Sequence, residues 1–179
     1  VLYRFKYRPK GDDYMLNTIA VQTRQGIPAP MDNARQEETV GTLLYPEEYD
    51  FLHGIYSSPE NQSPKFPLPD LISACVSLVF NKANAKQKLF EYARTQLTLR
   101  NRGGKPKCRQ ADIWRPQYEF LRALQISPDN RYPNPKFHLG DFTTACVALM
   151  MKENSSFAAI LDQARKNSAD RVVEKAENI

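Results

Sequence analysis

Apolar positions fall into short runs whose spacing names their elements. Leu71, Ala74, Cys75, Leu78 and Val79 follow an i, i+3, i+4, i+7, i+8 stripe, which predicts a helix with one buried face. Phe142, Ala145, Cys146, Leu149 and Met150 repeat that stripe. Asp70 and Asp141 stand just ahead of the two runs, where an N-cap carboxylate accepts from free backbone N–H groups. Shorter apolar helices are expected over Tyr49–Tyr56 and Tyr118–Ile126, each ending at a Ser-Pro-acid-Asn turn. Breaks at Asn81–Asn84 and Lys152–Ser155 precede further helices carrying Leu89, Phe90, Ala93 and Leu97, or Ile160, Leu161 and Ala164. Strand signals are fewer. Tyr3, Phe5 and Tyr7 alternate with Arg4, Lys6 and Arg8, and the turn at Lys10–Asp13 with the apolar run Met15–Val21 makes this one arm of an N-terminal β-hairpin. Brief extended pieces are expected at Lys65–Leu68 and Lys136–Leu139, and residues 26–38 read as loop.

Comparing the chain with itself organises these elements. Residues 49–61 (YDFLHGIYSSPEN) lie over 118–130 (YEFLRALQISPDN) with 6 identities in 13 positions. After a two-residue insertion at Arg131 and Tyr132, residues 64–94 match 135–165 with 11 identities in 31. So dense a match points to an internal duplication. The expected architecture is α+β and predominantly helical, with two tandem pseudo-symmetric strand and helix-pair repeats plus the hairpin. Its boundaries are 1–42 for the hairpin and loop, 43–100 for the first repeat, 101–111 for a basic linker, and 112–179 for the second repeat and tail.

Charge changes the picture more than composition does. The 179 residues carry a net charge of +5 and 41% apolar residues, ordinary for a globular chain. The cations are segregated, however. Residues 94–109 hold Arg94, Arg100, Arg102, Lys105, Lys107 and Arg109 without one acid, whereas residues 32–60 hold seven acids against Arg35. Gly103 and Gly104 let the basic stretch follow a phosphate surface. No apolar run approaches the roughly 18 residues of a membrane helix, so a spanning helix is not expected. Val1 opens inside a strand-like run without a methionine or signal-type segment, and the expectation is a piece of a longer protein.

Catalytic signatures are missing from the sequence: there is no phosphate-binding GxxxxGK[ST], no GxGxxG, no HExxH and no GxSxG. His53 and His138 are the only histidines, and the duplication sets them opposite Arg122 and Pro67, so neither role is repeated. Asp70 and Asp141 suit a pair of caps better than a catalytic dyad. Cys75, Cys108 and Cys146 are an odd set without CxxC spacing. Cys75 and Cys146 read as core packing, and a reducing, cytoplasmic compartment fits. The expectation is therefore a non-enzyme with no cofactor and no metal, whose partner is DNA, double-stranded or partly single-stranded. The rival reading is a protein-interaction scaffold using the apolar repeat faces and the acidic 32–60 segment.

The segment KFHLGDFTTACVALMMKENSSFAAILDQARK resembles a ribbon-helix-helix unit, a family that lays a paired antiparallel ribbon in the DNA major groove. The resemblance implies groove-facing roles for Lys65, Lys136 and His138, and phosphate contacts for Asn84, Ser155 and Ser156. Pro67 and Pro69 depart from the pattern, because proline disfavours a paired strand. A basic domain of this size is also similar to the C-terminal DNA-binding region of TnsE-type transposon target-selection proteins, with no motif that carries residues over. With the basic run and the N-terminal strand, the expected DNA-binding set is Arg4, Lys6, Arg8, Lys65, Arg94, Arg100, Arg102, Lys105, Lys107, Arg109, Lys136, His138 and Ser155. Its expected setting is regulation, plasmid or mobile-element maintenance, or transposition.

Overall fold

A computed structural model describes residues 39–154 and 156–177, with side chains to residue 173. The chain divides into units of residues 1–36 and 37–179, and every described residue belongs to the second. The expected hairpin with Arg4, Lys6 and Arg8, together with Ser155, lies outside the described residues.

The second unit is predominantly helical, with one small antiparallel sheet. In chain order the elements are β1 (Thr39–Leu44), α1 (Pro46–Ser57), α2 (Leu68–Phe80), α3 (Ala85–Tyr92), β2 (Arg109–Trp114), α4 (Arg115–Gln125), α5 (Leu139–Met151) and α6 (Ser156–Glu177). A π-helical turn at Ala93–Leu97 and a last turn at Thr98–Arg100 prolong α3. Local chemistry explains the starts. Pro46 occupies the first turn of α1, where its fixed φ fits and its missing N–H costs nothing. Glu47 and Glu48 beside it favour the positive helix end. No helix among the described residues is long and apolar enough to cross a membrane.

β1 and β2 pair from Thr39 opposite Trp114 to Leu44 opposite Arg109, with Thr42 facing Ala111. The strands thus straddle the boundaries expected at 42/43 and 111/112, and do not arise from Lys65–Leu68 and Lys136–Leu139. Those two segments have another way to satisfy their backbone. The buried Asn61 side chain accepts from Phe66 N–H at 2.8 Å and donates to Phe66 O at 3.0 Å. Asn130 does the same for Phe137, at 3.0 and 2.8 Å. An amide that supplies both donor and acceptor replaces a neighbouring strand.

Helices α2 and α5 occupy the centre. Leu71–Ser77 and Asp141–Ala148 are buried on every side, not on one stripe alone. The reason is crossed packing: α2 lies against β2 and α6, α5 lies against β1, and the two helices touch each other. Each central helix therefore covers the strand from the other half of the chain, and one apolar core results. Buried hydroxyls finish the strand ends. Thr144 Oγ1 accepts from Tyr45 N–H at 3.2 Å, and Ser73 Oγ accepts from Trp114 N–H at 3.1 Å.

Asp70 and Asp141 are not N-caps. The cap positions are Pro67 and His138, and each aspartate is the third helical residue. Asp141 reaches back to accept from the His138 N–H at 2.9 Å. Proline has no N–H to offer, so Asp70 turns to other donors. Its Oδ1 accepts from the Trp114 indole and from Arg171, both at 2.6 Å.

Candidate nucleic-acid interface

The expected basic run divides into two kinds of cation. Arg100 forms a two-point pair with Glu48, at 2.5 and 3.1 Å, and reaches Glu47 at 3.2 Å. Glu48 is only 2% exposed, so this pair is anchored in the fold. The hydrogen bonds that Glu48 accepts are the chief cause that pushes the Arg100 guanidinium pKa further above its ordinary value. Lys105 pairs with Asp141 at 2.9 Å, and its ammonium lies 5.9 Å from the Tyr45 ring centre. Both were expected to meet phosphate. Here they hold the chain against α1 and α5.

Between and beyond these anchors stand Arg102, Lys107 and Arg109. All three are exposed, and none has an acidic partner among the described residues. Arg109 begins β2 opposite Leu44, which places it at one end of the ribbon. Gly104, at φ 107°, makes the bend between Arg102 and Lys105 and donates its N–H to Asn101 O. The ribbon's outer side forms an open trough of about 390 Å3, lined by Gly41, Leu43, Gln110 and Asp112 among others.

Tyr45 connects the connector to the core. Its hydroxyl donates to Asp141 at 3.1 Å, while the Asn101 amide donates to that hydroxyl at 2.8 Å. Burial pushes this phenol up to about 12, beyond the help that Asn101 gives its ionised form. Sequence spacing had no means of relating positions 45, 48, 101 and 141. The one available signal was a cation-rich connector that must leave one half of the chain and enter the other.

The remaining expected residues are dispersed along the fold. Lys65 sits 4.3 Å from the Tyr56 ring centre, and Lys136 lies 5.3 Å from that of Phe137. Arg94 covers Phe90 and donates to Asp129 O at 3.3 Å. Lys86 binds Asp129 at 2.6 Å and, by that hydrogen bond, holds its carboxyl below the usual range. His138 is exposed at the start of α5 and Asn84 at the start of α3. Ser156, expected at phosphate, is buried. Lys65, Lys136 and His138 are not on the paired strands, so the ribbon role implied for them does not carry over.

Among the described residues, no cluster of three or more His, Cys, Asp or Glu could hold a metal ion. Comparison with protein-family models, curated proteins and solved structures finds no match to this chain.

Proposed function

We propose that this chain is a DNA-binding domain whose contacts are made mainly to the phosphate backbone. The observation that carries this reading is the trio of exposed cations Arg102, Lys107 and Arg109, held on an anchored connector at the end of the β1–β2 ribbon. Cations with no acidic partner release counterions from a polyanion without first breaking an ion pair. The adjoining trough would face the nucleic acid, and a two-stranded ribbon is of a size that a major groove admits. That arrangement preserves the sense of the ribbon-helix-helix resemblance with a different pair of strands. The acidic face favours a scaffold less, because Glu47 and Glu48 are engaged by Arg100.

We also read the two halves as copies of one duplicated unit, related by an approximate two-fold axis beside Thr42 and Ala111. These residues occupy matching positions 69 apart and pair with each other. The proposed setting is regulation, plasmid or mobile-element maintenance, or transposition target selection.

Changing Arg102, Lys107 and Arg109 together to Ala tests the function. Binding to unrelated duplexes should weaken alike, and the slope of log K against log salt should fall by about 0.9 per lost phosphate contact. An unchanged affinity and slope would show that the trio makes no contact. A parent protein that binds no DNA at low salt would end the proposal.

A further inference from the structure

The cations that bind a polyanion and the acids that bind cations are usually antagonists: removing an acid from a basic surface strengthens binding. Here the geometry reverses that expectation. We propose, resting on the DNA-binding reading above, that Glu48 and Asp141 are positioning residues that make the connector a preformed phosphate-binding element.

Three residues of the segment between 100 and 105, namely Arg100, Asn101 and Lys105, are tied to the rest of the fold. Arg100 is clamped at two points by Glu48, whose side chain is 2% exposed. Its guanidinium also lies 5.1 Å from the Tyr45 ring centre. Asn101 donates to the Tyr45 hydroxyl. Gly104 closes a turn onto Asn101, and Lys105 ends the segment on Asp141, itself 7% exposed. Beyond Pro106 the chain enters the β2 ladder at Arg109, where the sheet takes over its direction. Arg102 lies between two anchors, while Lys107 lies between an anchor and the ladder. Both acids are buried within the scaffold and engage Arg100 and Lys105, whose own side chain stays 46% exposed, whereas Arg102, Lys107 and Arg109 are exposed without an acidic partner among the described residues. A connector of Gly-Gly-Lys-Pro composition would otherwise sample many conformations. Restricting it before binding lowers the ordering cost that the complex must meet.

The test compares Glu48→Gln, Asp141→Asn and Tyr45→Phe with the parent chain. Binding of a fluorescent 20-base-pair duplex is titrated at several salt concentrations. Each acid-to-amide change raises the net charge by one, yet affinity is expected to fall about tenfold, because anchorage is lost. The salt slope should stay at the parent value, since the three exposed cations are intact. Tyr45→Phe changes no charge and is the milder disruption. It should weaken binding severalfold with the same unchanged slope.

Stoichiometric titration separates weaker binding from a smaller folded fraction, and fluorescence of Trp114 reports the fold directly. Two folded acid-to-amide variants that bind as tightly as the parent, or more tightly, would overturn the inference while leaving DNA binding itself intact. If either acid-to-amide variant does not fold, Tyr45→Phe decides: parent-like affinity refutes positioning. A parent protein that binds no duplex at low salt refutes both readings together.

Discussion

Trp114 donates its indole N–H to the Asp70 carboxylate at 2.6 Å, across the boundary between the two halves of the chain. The same oxygen accepts from Arg171, whose guanidinium lies 4.0 Å from the indole ring centre. Strand β2, central helix α2 and the far part of α6 are thereby joined at one carboxylate. Tyr45 and Asp141 make the related contact on the other side, with the tyrosine from the first half and the aspartate from the second.

Removing this carboxylate should be costly. Asp70→Ala leaves a largely buried Arg171 without its acid and an indole N–H without an acceptor, and should destabilise by about 3 kcal/mol. Trp114 is the only tryptophan, so its emission should shift in the folded variant. Urea titration measures the loss, and a change below about 0.5 kcal/mol would refute the latch.

The buried amides give a paired prediction. Asn61→Ala and Asn130→Ala each remove the side-chain partners of both the backbone N–H and the C=O of one buried residue, Phe66 or Phe137. Each should cost about 2–3 kcal/mol in urea unfolding, and the two costs should be similar because the contacts are. A negligible loss at either position would show that its turn is held by something else.

Gly140 tests how tightly β1 rests on α5. Alanine within a helix is ordinarily better than glycine by about 0.5–1 kcal/mol. A Cβ at this position would lie 2.9 Å from Leu43 Cβ and 3.1 Å from Leu43 O. The strand backbone must move to make room, so Gly140→Ala should destabilise by about 1–3 kcal/mol. A stabilised variant would mean that the strand yields freely.

Thiol chemistry should follow burial. Cys75 and Cys146 are fully buried, and loss of hydration raises both thiols well above the ordinary value near 9. Cys108 is part-exposed. A thiol reagent should therefore titrate one group in the folded protein and three in denaturant. The folded thiols retain protons that unfolded ones release, so their contribution is complete below about pH 9 and declines as pH rises beyond it. Urea midpoints at pH 7, 9 and 10 should show that alkaline fall. Cys146→Ser should make it shallower, while costing about 1–3 kcal/mol at neutral pH.

Helices were legible because their information is local. The stripe from Leu71 to Val79, the Ser-Pro turn before Asn61 and the break at Asn81–Asn84 each lie within a few residues, and each has its counterpart in the second half. Segregation of the cations into residues 94–109 was equally plain. The two strands were not legible at their true positions. Thr39–Leu44 and Arg109–Trp114 carry weak alternation, and their pairing spans about 70 residues, so only the docking of both onto α2 and α5 creates the ribbon. Side-chain satisfaction misled at Lys65–Leu68, where one asparagine does the work of a neighbouring strand. The tertiary structure also divided the cations. Arg100 and Arg102 are two residues apart and look alike in sequence, yet only Arg100 finds the buried acid at Glu48, 52 positions away. Charge type is written in the residue, whereas its availability depends on which acids the fold brings near.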